Sequence, residues 1–501
     1  MIDSKEGAEK VLYSGEVARL LARMAVHERC SAEFEKRPMD REMYARYYKT
    51  SLYVARKGID IGIQLAYDAR DEGRAVSDLL YNHYMGWIYI HYSMMLLETH
   101  RYFAAMNAVL NAENFLVHDY YNVVTNGNLS AVVSELRKLP EFRNLPSNVS
   151  AKQRKDIVDK ALQFLYSDFH NAIEDKKLRI LSKVYKEVPK RYHDMYAVWA
   201  YRVLATLFEQ DHSILLNFGG VYRDLHEEYP EIPDKYPDLP ELSLRDSELG
   251  ESPEEKEYAL WVASGGLALS YLDFVPDPIL RCRYICDDLP FDFHDPEQNL
   301  MMEDVMETFA HCRFQIYMAT TYPATFAGLA YSMSPKSKRI YNQELLLDVY
   351  PRLYSVLDKI SHIVMRCFGI VLSPKREGDY PPQPSYNLIV QEIRGHSGGN
   401  PHLLTLCEIF DEINPRFIYR TQKDQPFYAM LPDAIHMDRL RHHIIHSGVS
   451  LTVESSGKES NREIAYITER EFGSRCRDLL YLVKEAIMST CLALEYRDRQ
   501  E

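Results

Sequence analysis

Positive charge is what this chain has least to spare: 59 Lys and Arg stand against 73 Asp and Glu in 501 residues, a formal net charge of −14. A surface of that sign repels nucleic acid as a whole, which excludes a coat-like binder and confines any RNA contact to a local patch. Long apolar runs are missing too. The most apolar window, Tyr84 to Leu97, contains His91 and falls short of the roughly 20 residues a bilayer span needs. Acids and lysines interleave through the first residues, so a secretory signal is not expected. Cysteine is scarce and scattered, eight in all, with Cys367, Cys407, Cys476 and Cys491 on apolar helical faces where they read as small core residues. That usage points to a reducing, cytoplasmic setting. Cys282-x3-Cys286 is half of a metal site with no second pair at zinc-finger spacing. Ser397-Gly398-Gly399 lacks the spacing and the lysine of a phosphate-binding loop. No metal and no cofactor are therefore expected.

What is present is helical periodicity. With 46% hydrophobic and 26% charged residues the composition is globular, and the length suggests two or three domains. Apolar positions at helical spacing predict helices over residues 8–29, 40–71 (long, or broken near Gly58 and Gly62), 75–98, 101–121, 151–188 and 193–210. Ala104, Ala108 and Ala112 form a small-residue stripe for close helix packing, and the short connections favour antiparallel hairpins. Tyr47, Tyr48, Tyr53, Trp87, Tyr89, Tyr92 and Tyr102 read as hairpin packing rather than a platform for bases. Between Tyr229 and Glu254 five prolines stand among acids, which forbids a continuous helix. The expected organisation is all-α: stacked hairpins in 1–228, a linker in 229–253 and a helical bundle in 254–501.

In the second part, helices are expected over 299–319, 343–368, 402–413, about 432–448 and from Thr468 onward, where Thr468-x2-Glu471 forms a capping box. Leu353, Val356, Leu357, Ile360, Val364 and Cys367 make one apolar stripe, with Pro351 kinking that helix or sitting in its first turn. Leu451–Val453 and Ile464–Ile467 are expected to pair as a small β-hairpin.

The chemistry concentrates in Met437-Asp438-Arg439-Leu440-Arg441-His442-His443-Ile444-Ile445-His446. On a helix His442 and His446 share a face, Leu440 and Ile444 turn inward, Ile445 is left open between the inward side and solvent, and the long Arg441 side chain can reach the histidine side. An Arg-x4-His spacing arises about once by chance in such a composition, and Arg441 to His446 is the one instance here. Arg441-His442-x3-His446 resembles the signature of the HEPN superfamily: arginine, a polar residue, three more residues, then histidine. Tyr258-Ala259-Leu260-Trp261 followed by Gly266-Leu267-Ala268-Leu269, and Asn400-Pro401-His402-Leu403, resemble one HEPN family in which a tetratricopeptide-like helical region precedes the nuclease-type domain. The likeness runs from about Glu254 to the C-terminus.

That resemblance implies a metal-independent endoribonuclease. RNA supplies its own 2′-hydroxyl nucleophile, His446 would act as base or acid, Arg441 would hold the phosphate with its fork, and His442 would orient them. Arg439 and His443 are weaker candidates for substrate contact. The family's composite site implies a homodimer, and its biology a toxin or antiviral-defence effector with an activator on the N-terminal helices. Two rivals remain. His442-x3-His446 has helical metal-ligand spacing but lacks the Glu of His-Glu-x2-His. A HEPN-like domain can also serve as a non-catalytic binding or assembly module. The basic loops Lys336–Arg339 and Lys375-Arg376 read as solvated.

Overall fold

The structure is a computed structural model. It describes residues 8–34, 41–71, 79–126, 150–184, 186–193, 252–271, 295–320, 335–372, 399–413 and 464–500, together with 440, 441, 443–445 and 449–452 and the isolated positions 133, 137, 144, 197, 200, 203, 204, 227, 293, 386, 389, 390, 392 and 393. Its regular elements are α1 (Ala8–Phe34), α2 (Arg41–Asp71), α3 (Leu79–Glu98), α4 (Tyr102–Asn126), α5 (Ala151–Val184), a 3-10 turn (Lys190–Tyr192), α6 (Pro253–Ser264), α7 (Pro296–Thr320), α8 (Pro335–Cys367), α9 (Pro401–Ile413), β1 (Val449–Thr452), β2 (Ala465–Thr468) and α10 (Glu469–Gln500). The fold class is all-α, as the periodicity predicts.

The chain divides into two compact units. Met1–Glu98, Tyr102–Lys186 and Lys190–Leu239 form the first; Thr99–Arg101, Glu187–Pro189 and Pro240–Glu501 form the second. Most of the proline-rich stretch lies outside the described residues, as do the basic loop Lys375-Arg376 and Cys282 with Cys286.

In the first unit α1 and α2 run antiparallel: Tyr48 packs by Ala25 at one end, and Gly58 faces Ser14 at the other. Ser51 Oγ donates to the Ala18 carbonyl between them at 2.6 Å. α2 is continuous, and its two glycines are contact points rather than breaks. A Cβ on Gly58 would stand 2.3 Å from Ile88 of α3, and one on Gly62 would stand 2.1 Å from the Met85 sulfur. The helices approach too closely there for any side chain. The core of this layer is Val11, Ala18, Val54, Ala55, Ile59, Tyr81, Met85 and Ile88. Ala108 and Ala112 of the alanine stripe are buried. α5 starts from a reciprocal cap in which the Ser150 N–H donates to Gln153 Oε1 (2.9 Å) and the Gln153 N–H to Ser150 Oγ (3.3 Å).

In the second unit α7, α8 and α10 pack together and α9 lies against α10. α6 opens with a capping box between Ser252 and Glu255. It closes in a Schellman turn: the Gly266 N–H reaches Ala263 O (3.0 Å) and the Leu267 N–H reaches Val262 O (2.9 Å), with Gly266 at φ 59°. The carbonyls just beyond this end point inward and need donors. Tyr481 Oη donates to Gly265 O (2.8 Å), the buried Lys484 Nζ to Gly266 O (2.6 Å) and Arg313 Nη1 to Leu267 O (2.9 Å). Two cations thus sit at the negative end of a helix dipole. The Tyr258–Trp261 element is the aromatic side of this joint: Arg313 Nε donates to Tyr258 Oη at 3.0 Å, and the Tyr258 and Trp261 rings stack.

Asn400 opens α9 by accepting from the N–H groups of His402 (3.1 Å) and Leu403 (3.4 Å) and donating to Ala493 O of α10 (2.9 Å), with Pro401 at the first helical position. Thr468 Oγ1 accepts the Glu471 N–H (3.1 Å) to open α10. Along α10, Phe472, Cys476, Leu479, Leu480, Val483 and Ile487 are buried, as their spacing predicts.

Two details differ from the sequence reading. α8 starts at Pro335, ahead of the expected 343, so Lys336–Arg339 belongs to a helix and not to a loop. Of the two places left open for Pro351, the interior of the helix is the one observed; proline lacks the N–H for Leu347 O, and burial of Val349, Tyr350, Leu353 and Tyr354 around it holds the helix through the defect. The two strands pair in parallel, Val449 opposite Ala465 through Thr452 opposite Thr468, so they do not form the expected hairpin. Parallel strands need a crossover of about a dozen residues, and 453–464 supplies that length.

Candidate functional site

Leu440, Arg441 and His443–Ile445 are helical. Leu440 and His443, three positions apart, are buried and set the inward side. Ile444 is half-buried, and Ile445, left open by the sequence pattern, is exposed. Arg441 is half-exposed on the other side. His446, His442 and Arg439 lie outside the described residues, so the structure speaks for Arg441 and His443 of the five candidates. Burial of His443 gives that ring a packing role in this conformation.

Arg441 reaches α8. Its guanidinium carbon lies 4.8 Å from the centre of the Tyr354 ring, and Nη2 is 3.9 Å from Asp358 Oδ2. Tyr354 and Asp358 are one turn apart on α8, so a single helix face supplies both supports. Asp358 is itself oriented by the Tyr386 backbone N–H, which donates to Oδ1 at 3.2 Å, and Tyr386 Oη donates to Leu406 O of α9 at 2.8 Å.

The 3.9 Å contact is long for an ion pair, and both partners are more than a third exposed, so it is worth roughly 0–1 kcal/mol. Stacking on Tyr354 adds about 0.5–1 kcal/mol for a site this open. Together they orient the guanidinium without saturating it. A planar five-donor fork so presented can take two oxygens of a phosphodiester.

Sequence reasoning missed Tyr354, Asp358 and Tyr386. The first two fall on α8 beside the predicted apolar stripe, and nothing local marks them as partners of a residue more than eighty positions on. Among the described residues no group of three or more His, Cys, Asp or Glu is placed to hold a metal ion, and no helix is long and apolar enough to cross a membrane.

Residues 290–497 match the family model described as LA2681-like HEPN. The match takes in α7 to α10 and the Arg441 stretch. It begins after Tyr258–Trp261. No curated protein and no solved structure matches the chain.

Proposed function

We propose, starting from the HEPN domain carried by residues 290–497, that the protein is a metal-independent endoribonuclease acting through Arg441 and His446. The observation that carries this reading is an intact Arg441-His442-x3-His446 inside the matched segment, with Arg441 half-exposed and only loosely held. In-line attack of the 2′-hydroxyl needs a proton acceptor, a proton donor for the leaving 5′-oxygen, and a cation for the charge building on phosphorus. One motif supplies one histidine and one cation of this set. A two-fold contact between copies doubles both, so the active species is a homodimer and the product ends are 2′,3′-cyclic phosphates. A role as a toxin or defence effector, with an activator on the first unit and residues 229–253 as a linker, belongs to the same proposal.

A second reading has one observation in its favour: the contacts of Arg441 with Tyr354 and Asp358 also suit a purely structural arginine in an assembly module. Cleavage of total RNA by the purified full-length protein in EDTA separates the two. His446→Ala lowers the rate by about 10²–10⁴-fold if the ring moves a proton. Arg441→Lys keeps the charge and loses the fork, so it impairs cleavage without unfolding the protein, and His442→Asn is milder. Undiminished cleavage by the His446 variant overturns the assignment. Loss of wild-type activity in EDTA points to a metal instead.

A further inference from the structure

Asp358 faces two ways. Its Oδ1 accepts the Tyr386 backbone N–H at 3.2 Å, and its Oδ2 stands 3.9 Å from Arg441 Nη2. Tyr354, one turn earlier on α8, has the Arg441 guanidinium carbon 4.8 Å from its ring centre. A guanidinium lying over a ring is still free to turn above it, because the attraction of the ring face prefers no direction within that plane. The ring therefore sets where the fork lies, and the carboxylate sets which way it points. A phosphate is gripped at two oxygens only by a fork turned edge-on to it, so this direction matters to any anion that Arg441 takes.

Tyr386 ties the same carboxylate to α9. It is buried, its Oη donates to Leu406 O at 2.8 Å, and its ring centre lies 5.2 Å from that of Phe410. Residues 386, 389, 390, 392 and 393 are helical, and Cys407 Sγ donates to Val390 O at 3.7 Å. Leu406, Cys407 and Phe410 share one face of α9, so the segment around Tyr386 rides on that face. α9 is itself fixed at both ends: Asn400 Nδ2 donates to Ala493 O of α10 ahead of the first turn, and Glu412 in the last turn accepts from Arg101 Nη1. With the Tyr386 ring wedged against Phe410, its phenol and its backbone N–H move as one piece. Any nearby carbonyl would satisfy a buried phenol. That need alone does not explain why the same residue holds the carboxylate facing Arg441.

We propose that Tyr386 is a positioning residue for Arg441: through Asp358 it carries the placement of α9 to the guanidinium and so sets its aim at the substrate phosphate. The proposal rests on the reading of Arg441 as the phosphate-binding cation. Because Arg441 is loosely held, a small displacement of Asp358 re-aims it, and a misplacement of about 1 Å at a reacting group costs on the order of 10²-fold in rate. Tyr386 acts without touching RNA.

The test reads Arg441 directly, apart from any cleavage. Full-length wild type, Tyr386→Phe, Asp358→Asn and the double variant are treated under native conditions with phenylglyoxal, which modifies arginine. Peptide mass spectrometry follows the rates at Arg441 and at Arg366, a similarly exposed arginine paired with Glu297. Tyr386→Phe deletes one hydroxyl and keeps the ring and the backbone N–H. It should speed modification of Arg441 about twofold or more, the low end of coupling within one hydrogen-bonded network, and leave Arg366 as in wild type. Asp358→Asn should speed it at least as much, and the double variant should react no faster than Asp358→Asn alone, because the effect of the phenol runs through the carboxylate. An unchanged Arg441 rate in Tyr386→Phe, an equal rise at Arg366, or full additivity in the double variant overturns the proposal. In the RNA assay Tyr386→Phe should lower kcat by about tenfold, and an unaltered kcat beside a faster Arg441 overturns the link to the phosphate. A wild type that cleaves no RNA defeats the ribonuclease reading, while the modification rates still decide whether Tyr386 steers Arg441.

Discussion

Arg101 and Glu485 stand 384 positions apart in the chain, yet Arg101 Nε donates to Glu485 Oε2 at 2.7 Å, with both side chains 4% exposed. Arg101 Nη1 also donates to Glu412 Oε2 at 2.5 Å, so one guanidinium joins α9 and α10. The neighbouring connections add to this joint. Thr405 Oγ1 donates to Thr99 O (2.8 Å), His402 Nε2 and Glu187 Oε2 are 3.2 Å apart, and Arg499 donates to the Glu187 and Val188 carbonyls. Burial pushes the Glu187 carboxyl up, but the hydrogen bond from His402 and the charges of His402, His100 and Arg499 outweigh it and hold the group below its ordinary value.

Removing one member of such a buried pair leaves a charge without its counterion. Arg101→Met should therefore destabilise by about 3–5 kcal/mol in urea denaturation. Combining it with Glu485→Gln should recover part of that loss, because the more deeply buried of the two carboxylates is then gone, while Glu412 is 24% exposed and keeps access to water. Strict additivity of the two changes would mean the groups are not coupled in solution.

The glycines of the first unit should respond to alanine in opposite directions. Alanine favours a helix over glycine by about 1 kcal/mol, so the sign depends on whether the new methyl fits. At Gly15 the nearest atom to a Cβ is 3.7 Å away, ordinary contact, and Gly15→Ala should raise the melting temperature. At Gly58 the methyl would meet Ile88 at 2.3 Å and Ser14 at 2.6 Å, and at Gly86 it would meet Phe169 at 2.5 Å. Overpacking of about 1–3 kcal/mol wins there, so both substitutions should lower the melting temperature.

Four thiols should be inert in the native protein. Burial pushes the Cys312 and Cys491 thiols up to about 12 and Cys367 up to about 11, and raises the fully buried Cys476 further. Thiolate is the reactive form, so alkylation at pH 7.5 followed by peptide mass spectrometry should find these positions unmodified until denaturant is added. Rapid native labelling of Cys491 would contradict its burial.

The α3 histidines, His83 and His91, should make stability depend on mildly acid pH. Burial pushes their pKa values down to about 4, below the unfolded value of about 6.5, so the unfolded chain takes up protons the folded one excludes. The contribution is fully present above pH 6.5 and is lost as pH falls toward 4. Unfolding free energy should drop across that window, and His83→Gln should flatten the drop relative to wild type. Equal slopes in the two proteins would argue against a buried neutral His83.

Much of the fold could be read along the chain because its signals are local. A 3.6-residue apolar period places helices whether or not their partners are known, and Thr468 and Asn400 announce helix starts through side chains that bond within three residues. The apolar face of α10 is legible for the same reason. The Arg441-His442-x3-His446 pattern was visible too, being a spacing on one element. What the sequence could not determine is every relation that depends on which elements meet. Strand periodicity is the same in parallel and antiparallel pairs, so the direction of β1 against β2 was decided only by the tertiary structure. The supports of Arg441, Tyr354 and Asp358, sit on another helix, and the ring cluster of His83, Trp87 and Phe169 draws on two. Arg101 opens a helix expected over 101–121, and only the tertiary structure shows it buried against Glu485, because a local pattern shows which face turns inward but not what waits there.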